Sequence, residues 1–113
     1  MMKEFMLIFR LKTGANFKPS PAQMQERMNW LASIAAQEKL VDKGKTLLPS
    51  TESGRHISAD QVVTDGPFTE LKEYVSGFIV VRTENIDEAV EIAKQNPIFK
   101  IGGSIEVREL LKS

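Results

Sequence analysis

Asp65 and His56 are the residues of this chain best suited to proton transfer. His56 is the single histidine, and histidine is the side chain that normally titrates near neutrality. Asp65 opens the tetrapeptide Asp65-Gly66-Pro67-Phe68. A carboxylate set in a partly apolar cavity has a raised pKa, which suits a general acid or base. Each residue also has a plain reading. Pro67 fixes its own φ and drives Gly66 extended. The Asp65 carboxylate can then accept the backbone N–H of Phe68 or Thr69 and tie the turn. His56 lies beside Gly54 and Arg55 in a short polar stretch and suits a surface position. A second group is Arg10, Arg108 and Tyr74, with Glu106 between the arginines on the last strand. Paired guanidinium donors bind a carboxylate or phenolate well. The same arginines could instead form ion pairs with Glu106 across an interface.

Other chemistries are excluded by composition. There is no cysteine, which removes thiolate ligands, disulfides and a thiol nucleophile. One histidine cannot build a His-rich zinc site, so no metal is expected. No phosphate-binding glycine loop, dinucleotide fingerprint or nucleophile elbow occurs, and no cofactor is expected. Fifteen basic residues balance fifteen acidic ones, giving zero net charge. That disfavours nucleic acid as a partner held by charge. The longest apolar run, Phe5 to Phe9, is far shorter than the ~18 residues of a membrane span. The amino-terminus has no apolar h-region. No membrane association is expected, and the absence of cysteine fits a cytoplasmic location.

The elements that must position these groups follow from periodicity. Residues 4–11 are apolar at nearly every position and predict a strand. Ser20-Pro21-Ala22-Gln23 carries a cap, a first-turn proline and the far side of a capping box. Met24, Met28, Leu31 and Ala35 then recur in helical steps, predicting a helix over about 20–40 with the two methionines in the core and Trp30 in core or interface. A short strand is expected over about 44–48. Two short extended pieces surround Ser58-Ala59-Asp60. Tyr74 to Arg82 reads as a strong strand. Asn85-Ile86-Asp87-Glu88 starts a second helix that ends at Asn96-Pro97. Ser104 to Leu110 alternates and reads as the last strand. The order is βαββαβ in one domain, residues 1–113. It predicts a ferredoxin-like α+β fold: a four-stranded antiparallel sheet with both helices on one face.

That fold leaves one sheet face bare. Phe5, Leu7, Phe9 and Leu11 share one side of the first strand, while Met6 and Ile8 fall on the other with Arg10. Val75, Ile79 and Val81 likewise oppose Phe78 and Val80. Two helices cover one face, so the other is expected to pack against a second copy. If Ile105 and Val107 lie under the helices, Arg10, Glu106 and Arg108 share the bare face.

Residues 63–73, Val-Thr-Asp-Gly-Pro-Phe-Thr-Glu-Leu-Lys-Glu, resemble the DGPF branch of the YCII-related family. The resemblance continues through Tyr74, Gly77-Phe78, Ile86-Asp87-Glu88-Ala89, Asn96-Pro97 and Gly103-Ser104-Ile105-Glu106-Val107-Arg108, and includes the opening Phe5-Met6-Leu7-Ile8. It implies a ferredoxin-like fold that dimerises sheet to sheet as an α+β barrel. The YCII branch is thought to use a His–Asp pair with its histidine on the first helix. Here Met28, Asn29 and Trp30 occupy that region. Two functions follow as expectations. One is acid–base chemistry of lyase or isomerase type, with Asp65 and His56 acting on a small acidic or phenolic molecule between the sheets. The other is a non-catalytic small-molecule-binding or transcription-associated regulatory module, since some DGPF domains are joined to sigma-factor-like regions.

Overall fold

The computed structural model describes residues 1–12, 20–48, 54–65 and 73–112. Its elements run β1 (Lys3–Lys12), α1 (Pro21–Ala36), β2 (Leu40–Thr46), β3 (Arg55–Ile57), β4 (Val63–Asp65), β5 (Glu73–Thr83), α2 (Ile86–Lys94), a 3₁₀ helix (Pro97–Ile101) and β6 (Ser104–Glu109). β2, β5, β1 and β6 form one sheet in that order, and β3 and β4 form a separate two-stranded ribbon. All pairings are antiparallel. With the ribbon set aside, this is the ferredoxin-like α+β arrangement expected from the element order.

The ends of the elements are set by local chemistry. The Ser20 hydroxyl accepts from Gln23 N–H at 3.2 Å, and the Gln23 side chain accepts from Ser20 N–H at 2.9 Å, completing the capping box of α1. Asn85 caps α2 by accepting from Glu88 N–H at 2.9 Å. The Thr83 hydroxyl, fully buried, donates to the Asn85 carbonyl and fixes the turn into α2. β2 begins at Leu40, earlier than the 44–48 the sequence predicted, because it is kinked rather than short. Its register against β5 shifts on both sides of Asp42. Gly44 sits at φ +71° there, and a Cβ would lie 1.5 Å from the Phe78 carbonyl oxygen. Only glycine fits that bulge.

The core lies between the sheet and the helices. Phe5, Leu7, Phe9, Ile79 and Val81 rise from the sheet to meet Trp30 and Ile34 of α1 and Ala89 and Ala93 of α2. Phe9 and Trp30 pack edge to face with ring centres 6.0 Å apart. The Trp30 indole N–H donates to the Ile92 carbonyl at 2.9 Å, linking α1 to α2. Ile105 and Val107 pack against the same core from β6.

The methionine expectation is corrected here. Met24 is 54% exposed and Met28 62%. The inward stripe of α1 is Gln23, Arg27, Trp30 and Ile34, one residue out of phase with the methionine stripe. Both stripes have helical spacing, and a one-residue offset turns the helix by about 100°. The large Trp30 and Ile34 side chains take the core, which rotates Met24 and Met28 outward.

The opposite sheet face carries Met6, Ile8 and Phe78, all half-buried, around Val80, which is 7% exposed. Ile79→Ala, on the helix side and fully buried, is expected to cost about 3 kcal/mol in urea unfolding. Phe78→Ala, on the bare face, should cost clearly less in the same measurement.

Candidate functional site

The sequence-derived candidates fall into three places. Arg10 and Arg108 lie on the bare sheet face, as expected, and both bind Glu106. Arg10 Nη2 donates to Glu106 Oε1 at 3.1 Å, and Arg108 Nη1 donates to Glu106 Oε2 at 2.9 Å. Each guanidinium takes one carboxylate oxygen within a single chain, so the anion that two arginines could have recognised is already supplied. The Arg108 hydrogen bond, then that from Arg10, holds the Glu106 carboxyl below the usual carboxylate range.

His56 and Asp65 lie in the β3–β4 ribbon. Arg55 pairs with Asp65 and His56 with Thr64. The two residues therefore occupy adjacent rungs of the ribbon. His56 is half-buried and has partners of its own. The expected hydrogen bonds from Phe68 and Thr69 to Asp65 lie outside the described residues.

Tyr74 is in a third place, on the wall of a cleft of about 460 Å³ on the helix side of the sheet. Its floor is the end of the sheet, with Phe9, Leu11 and Gly77. One wall is the start of α1, with Gln23, Met24 and Arg27. The second is the exit of β2 through Thr46, Leu47 and Leu48, held by Leu47 N–H donating to the Ser76 carbonyl at 2.7 Å. The third is the 3₁₀ helix, with Asn96, Pro97, Ile98 and Ile101.

The cleft follows from how α1 is seated. Its carboxy-terminal half is anchored by Trp30 and Ile34. The two earlier positions of the same inward stripe are Gln23 and Arg27, which are polar and do not fill the space beneath them. The 3₁₀ helix closes the far side by capping and close approach. Asn96 accepts from Ile98 N–H at 2.7 Å. Gly103 lets Ile98 descend onto β1, since a Cβ there would meet Ile98 Cγ1 at 2.5 Å and the Arg10 carbonyl at 2.9 Å. Lys100 and Glu26 pair at 2.7 Å and join the 3₁₀ helix to α1.

Gln23 and Arg27 were missed by the sequence reading. The signal was present: 23, 27, 30 and 34 run at steps of four, three and four, passing from polar to apolar half-way. Among the described residues, Arg27 has no hydrogen bond or ion pair, and neither has the Tyr74 hydroxyl. No aspartate or glutamate is among the described residues lining the cleft. No group of three or more His, Cys, Asp or Glu among the described residues could hold a metal ion. No helix of the described residues is long and apolar enough to cross a membrane.

The family model of the YCII-related domain matches residues 5–112. A protein of Rhizobium meliloti (strain 1021), described as uncharacterized, is 38% identical over 87 residues, covering 67% of this chain and 68% of the other.

The Glu106 cluster gives a pH dependence of definite sign. The folded-state pKa is depressed, so the stabilisation is present above the ordinary glutamate pKa and is lost as pH falls through the depressed value. Arg108→Leu should raise the Glu106 pKa in an NMR titration. The stability difference between this variant and the parent at neutral pH should vanish once Glu106 is protonated.

Proposed function

The chain belongs to the YCII-related family, and we propose that it works as a homodimer whose subunits each bind a small organic molecule in the cleft between α1 and the sheet. The observation that carries this reading is the cleft. Its volume is in the range of small-ligand sites, its walls are mostly apolar, and a few polar residues, Arg27 and Tyr74 among them, line it. The DGPF block at 65–68 supports a reading in which the chain falls in the DGPF branch of the family, and the lack of cysteine supports a cytoplasmic setting.

The dimer part rests on the bare sheet face. Met6, Ile8, Phe78 and Val80 form an apolar patch across the central strands, bordered by the Arg10–Glu106–Arg108 cluster. A second copy packed sheet to sheet would cover the patch and leave the charged cluster toward its edge. The two helix-side clefts would then face outward and remain accessible.

Binding is better supported than acid–base catalysis. A general acid and base must both reach the reacting atoms within hydrogen-bond distance. His56 and Asp65 belong to the β3–β4 ribbon, and the cleft walls hold no carboxylate or imidazole among the described residues. A ligand-sensing role, of the kind a transcription-associated module would need, fits a cleft with recognition groups and no proton-transfer pair.

Sedimentation at micromolar concentration should give about twice 12.7 kDa. Phe78→Ala should weaken association by about 2 kcal/mol, the scale of a truncated central interface side chain. For the cleft, a screen of small apolar fragments read by amide chemical shifts should move Phe9, Leu11 and Ile98. Shifts confined to Met6, Ile8 and Arg108 would transfer the site to the bare face and defeat the cleft assignment.

A further inference from the structure

We infer that the cleft selects organic acids: molecules with an apolar body and one carboxylate, the carboxylate held by Arg27. The inference rests on the cleft being the binding site and goes beyond it by naming the ligand class.

Three cations among the described residues are half-buried: Arg10, Arg27 and Lys39. Arg10 is paired with Glu106 at 3.1 Å and Lys39 with Glu88 at 2.7 Å. Arg27 alone of the three has no partner among the described residues. A half-buried guanidinium gives up part of its hydration, and a facing anion restores what it loses. The acid nearest in sequence, Glu26, is held by Lys100 on the outside of α1.

The surroundings set the sign and number of charges. No described lining residue is acidic. One guanidinium fork matches one carboxylate through two parallel N–H bonds. Phe9, Leu11 and Ile98 offer the remaining volume to a hydrocarbon or aryl body. A phosphate dianion would leave these apolar walls unmatched and ask for more than one inward cation. The Tyr74 hydroxyl remains for a second polar group on the ligand.

The test is calorimetric titration of the full chain with 4-phenylbutyrate, 4-phenylbutanol and 4-phenylbutylamine, which share a body and differ in the head group. The acid should bind at least about tenfold more tightly than the alcohol, the scale of a charge-assisted pair, and the amine most weakly. Arg27→Met should abolish the acid's advantage while leaving the alcohol's affinity within about threefold. Arg27→Lys, which keeps the charge and loses the fork, should retain part of the preference and serves if the methionine variant unfolds. Arg108→Met should change neither. Equal binding of acid and alcohol to the parent protein overturns the acid assignment while leaving the cleft as a site. So does a preference that survives Arg27→Met or is lost in Arg108→Met instead. Failure of both acid and alcohol to bind overturns the cleft assignment and the acid inference together.

Discussion

The Trp30 side chain joins three elements and decides where the first helix can lie. Its ring packs on the edge of Phe9 from β1, and its N–H donates to the Ile92 carbonyl of α2. An indole is large and rigid, and its single donor must find an acceptor when buried. Those two demands fix the height and direction of the second half of α1. Ile34, one turn later on the same stripe, completes the seat. The first half of the helix follows rigidly from this anchor. Because Gln23 and Arg27 hold its inward positions, it stands over the sheet without filling the space below. The cleft is thus the consequence of a helix whose inward stripe is apolar for one half and polar for the other.

The sheet separates two kinds of surface. On the helix side, Phe5, Leu7, Ile79 and Val81 are fully buried and carry the hydrophobic stabilisation of the fold. On the other side, alternation places Met6, Ile8 and Phe78 in half-exposed positions with an ion cluster beside them. Glu106 satisfies both arginines of that cluster within one chain. The two arginines that looked like a ligand trap in the sequence are each paired with Glu106, whereas Arg27, without a partner among the described residues, lies on the opposite side of the sheet. Charge alone does not identify a recognition group. What an arginine can recognise depends on which groups the fold brings within its reach.

Closing the cleft requires devices that look minor in the sequence. Gly44 permits the kink of β2, whose continuation through Leu47 forms one wall. Gly103 permits Ile98 to approach β1, and Asn96 and Pro97 start the short helix that carries Ile98. The Lys100–Glu26 pair spans the outside and is exposed, so it orients more than it stabilises. Together these residues shape the walls of the cleft.

Local signals were enough for the elements and their order. The Ser20–Gln23 capping box, the Asn85 cap, Asn96-Pro97 and the alternation of β1, β5 and β6 all act over a few residues, so they are readable without a partner in space. The two-faced sheet was legible for the same reason, since strand periodicity assigns each residue a side. The phase of α1 was not legible. Two stripes with identical spacing competed, and the one that packed was chosen by the room available beneath Trp30, which is a tertiary quantity. The 3₁₀ helix was missed because a single short turn has no period. Pairing was also beyond the sequence. Arg10 and Arg108 share Glu106 only because β1 and β6 lie side by side, and Tyr74 joins Arg27 at the cleft only because the start of β5 lies near the start of α1. The sequence by itself determined the order of the elements and which residues belong to which face of the sheet strands. The tertiary structure alone decided which charges neutralise one another and, among the described residues, which find no partner, because that depends on distances between segments far apart in the chain.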